Sequence, residues 1–282
     1  MHVSSVLRAL ALGAVLVIAS PPAAPGAEEA VDLELVLAID VSRSVDTLEA
    51  QLQRQGYVAA FLNPLVMDAV SSGFLRRIAV MYFEWAGYGH TKIIVDWTLI
   101  DGEASARAFA AKLAEVPLQS ARRTSISSAI DFALPSFDGN GLEGTRRVID
   151  ISGDGANNLG RLVTEARDQA IAAGVTINGL PIMNGRPSLS GWRGLPDLDL
   201  YYVNCVIGGP GAFVVVANGV KDYASAILRK LILEIAGTTP PNRLAAAPAE
   251  VSWPTLVATG RAGPPCDAGE RRFQRIFDDD DF

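Results

Sequence analysis

The segment Leu33-Glu34-Leu35-Val36-Leu37-Ala38-Ile39 is apolar at every position but one and stops at Asp40. A strand with one wet face alternates apolar and polar residues, whereas a strand buried on both faces is apolar throughout. The segment therefore predicts a central strand between two helical layers, with a carboxylate at its carboxyl end.

The rest of the chain repeats that theme. From Asp46 through Leu62 the spacing predicts a helix whose mostly apolar stripe is Leu48, Leu52, Gln55, Val58, Ala59 and Leu62. Asn63-Pro64 interrupts or ends it. Strands are expected at 78–83 and 91–95, broken by Gly87 and Gly89, so that the pair reads as a hairpin at a sheet edge. Helices follow at about 104–113 and 125–133, then a strand at 147–152, a helix at 162–173 and a strand at 175–180. A last strand is expected at 212–217 and a last helix at 223–235. Strands alternating with helices predict an α/β fold: a doubly wound, mostly parallel, Rossmann-like sheet with an antiparallel edge strand. Residues 181–200, rich in Pro, Gly and Ser around Trp192, are long for a plain connection and read as a functional loop.

The two ends differ from this body. Arg8, the apolar run from Ala9 to Ala19 and the small residues after it have the order of a signal peptide over 1–26. The run is shorter than the roughly 17 residues of a stable membrane span. Residues 31–237 form the expected domain, and 238–282 are a Pro-rich tail ending in Asp278-Asp279-Asp280-Asp281-Phe282, wrapped on the domain or disordered. Cys205 and Cys266 can staple that tail, stay unpaired or bridge two chains.

Composition removes several kinds of chemistry. The net charge is −7, and loss of Arg8 with the leader makes it more negative, which argues against nucleic-acid or anionic-lipid partners. Beyond the leader there is one histidine, His90, and two cysteines, too few for the usual zinc sites or for a Ser-His-Asp arrangement except around His90. Any metal must be held mainly by oxygen.

Oxygen ligands do converge at the expected carboxyl edge of the sheet, where open α/β folds bind ligands. The first strand runs into Asp40-Val41-Ser42-Arg43-Ser44, whose alternate residues point one way. The strand at 147–152 runs into Gly153-Asp154-Gly155, and Thr124 opens a helix after Arg122-Arg123. Two carboxylates and three hydroxyls suit a hard divalent ion, Mg2+ or Mn2+, with waters completing its shell. A cation only partly neutralised by protein can accept an anionic oxygen from outside. Helix capping by Ser44 is the bland reading of the first loop.

Asp40-Val41-Ser42-Arg43-Ser44 matches the DxSxS signature of the metal-ion-dependent adhesion site (MIDAS) of von Willebrand factor A domains. Thr124-Ser125-Ile126 with Ala129-Ile130 resembles that family's threonine loop, and Ser152-Gly153-Asp154-Gly155 its acidic third loop. The strings at 147–155, 206–214 and 230–236 resemble a bacterial, mostly proteobacterial, branch labelled as a domain of unknown function. The resemblance implies that Asp40 and Asp154 reach the ion directly or through water while Ser42, Ser44 and Thr124 give hydroxyl contacts. It further implies a binding module rather than an enzyme, with an unidentified partner protein that presents Glu or Asp. Export places it in the periplasm, with secretion as the alternative. A metal-assisted phosphoester hydrolase and a purely structural envelope domain are the competing readings. Glycines 153 and 155 do not make a dinucleotide loop, because position 158 is Asn. The Trp192 loop is expected beside the cation, selecting the partner.

Overall fold

The computed structural model describes residues 28–42, 45, 47–183, 194–237 and 262–279. Strands β1 (Glu29–Val31) and β5 (Leu142–Gly144) pair as a small parallel ladder. The main sheet contains β2 (Glu34–Asp40), β3 (Ile78–Trp85), β4 (Thr91–Ile100), β6 (Arg147–Gly153) and β7 (Thr176–Pro181), in the order β4-β3-β2-β6-β7. Only the β3-β4 pair is antiparallel, which makes β4 the expected edge strand. Every residue of β2 and β3 is buried, in agreement with their unbroken apolar character.

Two helical layers supply that cover. Helices α1 (Thr47–Phe61), α2 (Pro64–Ser71), α3 (Glu103–Glu115) and α7 (Tyr223–Ala236) pack on the face that carries Leu35, Leu37 and Ile39. Helices α4 (Ile126–Ala133), α5 (Val163–Ala172) and α6 (Leu198–Tyr201) pack on the face that carries Val36 and Ala38. Burying apolar area on both faces at roughly 25 cal/mol per Å² is the main term favouring this arrangement. Asn63 does not merely end a helix: its side chain accepts from Leu65 N, and Pro64 at the first position starts α2.

Three expectations are corrected. The buried residues of α1 are Glu49, Gln53, Arg54, Gly56, Tyr57, Ala60 and Phe61; of the expected stripe, Leu52 and Val58 pack partly against the core, while Leu48 and Leu62 are exposed. Polar residues turn inward because they have partners there: Gln53 donates to Ser152 Oγ at 2.9 Å and Arg54 pairs with buried Glu84. The last strand expected at 212–217 is reduced to isolated bridges beside β7. Pro181 has no N–H to offer, and Phe213 N donates to the Asn178 side chain instead of a backbone carbonyl, so no continuous ladder forms. Finally, part of the segment read as a loop is helical, because α6 runs straight into a π-helical turn, Tyr202–Val206.

The end of the chain is attached. Cys205 and Cys266 form a disulfide, which decides between the alternatives open to them. Beyond it α8 (Ala268–Asp279) lies against the loop after β6: Gly269 touches the Asn157 carbonyl, and Asn157 Nδ2 donates to Glu270 Oε1 at 2.7 Å. The leader at 1–26 and the stretch 184–193 with Trp192 lie outside the described residues. No described helix is long and apolar enough to cross a membrane. Trp85 and Trp97 serve packing: Trp85 is buried in the core, and Trp97 lies against Phe137 with its indole N–H on Ser136 O. His90 closes the turn between β3 and β4.

Candidate metal centre

The carboxyl end of β2 delivers Asp40, fully buried, and its backbone then turns so that Ser42 N donates to Asp40 Oδ1 at 2.7 Å. The next strand over, β6, ends at Gly153 and hands on Asp154. Parallel pairing of β2 with β6, in register from Glu34–Arg147 to Ile39–Ser152, brings these two strand ends side by side. The third contributor arrives from outside the sheet. Ala121 N donates to Val41 O, and Ser42 forms a parallel bridge with Ala121, which lays the approach to α4 along the first loop. Thr124 Oγ1 then stands 3.5 Å from Ser42 Oγ.

The second and third loops are tied together by side chains whose role the sequence left open. Thr124 N donates to Asn158 Oδ1 at 3.1 Å, and Asn158 N donates back to Thr124 O at 2.9 Å. Asn157 Oδ1 accepts from Ser127 N at 3.0 Å, and Ser125 Oγ donates to Leu159 O at 2.7 Å. Ser125 also caps α4 by accepting from Ser128 N. Of the predicted residues, the structure brings together Asp40, Ser42, Thr124 and Asp154. Ser44 lies outside the described residues.

Electrostatics at this edge are unfavourable to the protein alone. Burial holds the Asp40 carboxyl well above the usual carboxylate range, and the negative charge of Asp154 pushes it the same way. The backbone amide of Ser42, which donates to Oδ1, and the Ser42 side chain both oppose that shift. Asp40 Oδ2 is buried with no hydrogen-bond partner among the described residues. A buried acceptor left unmade costs on the order of 1–3 kcal/mol, more when charged. Two crowded carboxylates, one with an orphaned oxygen, and two neutral hydroxyls suit a hard divalent cation, which would relieve both the repulsion and the desolvation.

Tyr202 is a neighbour that the sequence did not mark. It occupies the first position of the π turn, and its ring lies so close to the sheet that a Cβ at Gly179 would come within 2.7 Å of it. A Cβ at Gly153 would meet the Tyr202 hydroxyl at 2.9 Å and Asp40 Oδ2 at 3.0 Å. Tyr201, one residue earlier, faces the other way round the loop and accepts from Asn157 N through its hydroxyl. The sequence signal was limited to two tyrosines inside an irregular stretch; neither periodicity nor a motif singled them out.

Asp150, inside β6, turns away from this edge. It forms a buried ion pair with Lys230 of α7 at 2.7 Å, and Lys230 also pairs with Glu234. Asn178 Nδ2 donates to the same Glu234 carboxylate at 3.1 Å.

A doubly wound, mostly parallel sheet with one antiparallel edge gives this chain a von Willebrand factor A-like fold. Solved structures with this fold include a mussel byssus protein, proximal thread matrix protein 1, with a zinc-occupied MIDAS motif. It is 15% identical with a TM-score of 0.50, over 74% of this chain and 49% of that one. The open form of the pilus adhesin SpaC from Lactobacillus rhamnosus GG is 11% identical with a TM-score of 0.52, over 74% of this chain and 31% of that one. The chain thus spans about half the length of the first and less than a third of the second. The chain belongs to the family described as protein of unknown function (DUF1194), whose model matches residues 30–239. No curated protein matches it.

Proposed function

We propose that this chain is an exported, divalent-cation-dependent protein-binding module and not an enzyme. Asp40, Ser42, Ser44, Thr124 and Asp154 would hold Mg2+ or Mn2+, and the ion, when bound, supplies a positively charged position for a carboxylate from a partner's Glu or Asp. The observation that carries this reading is the buried pair of carboxylates at the β2 and β6 ends, with Asp40 Oδ2 lacking a partner among the described residues. The mussel protein with its zinc-occupied MIDAS motif supports a metal at this place in the fold. The donors here are all oxygens, which favours magnesium or manganese over zinc.

The chain's own residues have separable tasks in this scheme. Asp40 and Asp154 supply the charge that holds the ion. Ser42 and Thr124 contribute neutral oxygens, so that the cation keeps net positive character for an incoming anion. Asn157 and Asn158 fix the spacing of the second and third loops. The signal-peptide pattern at 1–26 places the module in the periplasm in this reading, and the Trp192 loop, following β7, takes part in choosing the partner.

The test is cross-linked capture from the native envelope with Mg2+ or with chelator, comparing the wild-type chain with Asp154→Ala. Metal-dependent recovery of a partner that the variant fails to recover is expected. Equal recovery of every partner under all conditions would sink the proposal. Metal-dependent phosphoester turnover abolished by Asp154→Ala would instead establish the hydrolase reading.

A further inference from the structure

We infer that Tyr202 is a positioning residue of the cation site: its phenol hydrogen-bonds Asp40 Oδ2 when the ion is bound and holds that carboxylate in place. The inference rests on the cation reading above and adds to it a residue that no motif identifies.

Two observations that are awkward separately explain each other. Asp40 Oδ2 and the Tyr202 hydroxyl are both buried, and neither has a hydrogen-bond partner among the described residues. Each group by itself gives up hydration without compensation. Both oxygens nevertheless crowd the same point, the missing Cβ of Gly153, at 3.0 and 2.9 Å. A phenol is a donor and a carboxylate is an acceptor, so the pair is chemically matched, and both oxygens stand within 3.0 Å of one point.

The surroundings show a slot built for this ring. Gly179 on β7 clears the ring edge and Gly153 on β6 clears the hydroxyl, while the ring is fully buried in the apolar layer beneath. The π turn Tyr202–Val206 sets the ring at this height, and such turns recur at functional positions because they re-aim a side chain out of helical register. A phenylalanine would fill the same apolar slot without an unsatisfied hydroxyl, so packing alone gives no reason for the oxygen.

A cation gives that reason. A carboxylate oxygen has about two lone-pair directions, so Oδ2 can face an ion and still accept from a phenol. Partners that orient a metal-binding carboxylate typically contribute about 10–100-fold to metal affinity.

The decisive variant is Tyr202→Phe in the full exported chain, with Mn2+ alone as the probe. Calorimetric titration should show Mn2+ binding weakened about tenfold. Metal-free thermal unfolding should be unchanged or raised, because the variant removes a buried unsatisfied hydroxyl. A purely structural tyrosine predicts lower metal-free stability with unchanged affinity, and that result overturns the inference. If the wild-type chain binds no Mn2+, the cation reading fails and this inference with it; wild-type binding retained in full by Tyr202→Phe refutes this inference alone.

Discussion

Thr124 and Asn158 exchange two hydrogen bonds, Thr124 N to Asn158 Oδ1 and Asn158 N to Thr124 O, so the threonine loop and the acidic loop move as one piece. Asn158→Ala removes the side-chain half of this exchange while leaving every proposed ligand in place. Mn2+ affinity should fall about tenfold, as for other partners that orient ligands. Calorimetry at fixed pH reads this directly, and unchanged affinity would separate the loop clamp from the cation site.

Asp154→Ala should act in opposite directions on binding and on folding. Loss of one of the two carboxylates removes half of the formal charge that holds the ion, and Mn2+ binding should drop at least about 100-fold. In the metal-free protein, the same substitution relieves the charge that pushes the Asp40 carboxyl upward, so the unfolding midpoint should hold or rise. Thermal melts with and without chelator check both arms. A large metal-free destabilisation would contradict the repulsion described at this edge.

Reduction of the Cys205–Cys266 bond should loosen the C-terminal helix before it disturbs the sheet. The bond spans 61 positions in sequence, and closing a loop of that size constrains the unfolded chain by roughly 4 kcal/mol. Urea unfolding of a Cys205→Ser/Cys266→Ser variant should show a loss of that order. Hydrogen exchange should rise first in α8, whose remaining holds include Asn157 with Glu270 and the Arg123 guanidinium over the Phe273 ring at 3.8 Å.

Stability should also report on Asp150. Burial and the neighbouring Glu234 charge raise its carboxyl to about 7, more than Lys230 offsets. The folded-state value lies above the unfolded one, so the contribution is fully present below the ordinary carboxylate range and is lost as pH rises through about 7. Asp150→Asn imitates the protonated form and should flatten this slope, so that the wild type loses stability relative to the variant between about pH 4 and pH 7. Parallel pH profiles for the two proteins would show that Asp150 is not the titrating group.

What could be read from the sequence was whatever depends on neighbours along the chain. The apolar run into Asp40, the hairpin at Gly87 and Gly89, and the three loops with Asp40, Thr124 and Asp154 all announce themselves locally. What escaped depends on partners far away in sequence. Gln53 and Arg54 face inward because Ser152 and Glu84 await them, which an apolar-stripe argument passes over. The strand expected at 212–217 has the right composition but meets Pro181 and the Asn178 side chain on the adjoining strand. Tyr202 acquires its place only when Gly153 and Gly179 are stacked beside it.

The bond between Cys205 and Cys266 also makes a covalent ring of everything between them, α7 included. A single protease cut anywhere within that ring leaves the final helix attached to the domain. Shedding of that helix therefore takes either a cut beyond Cys266 or a cut within the ring followed by a reductant, and a sample nicked within the ring should run as one species until thiol is added.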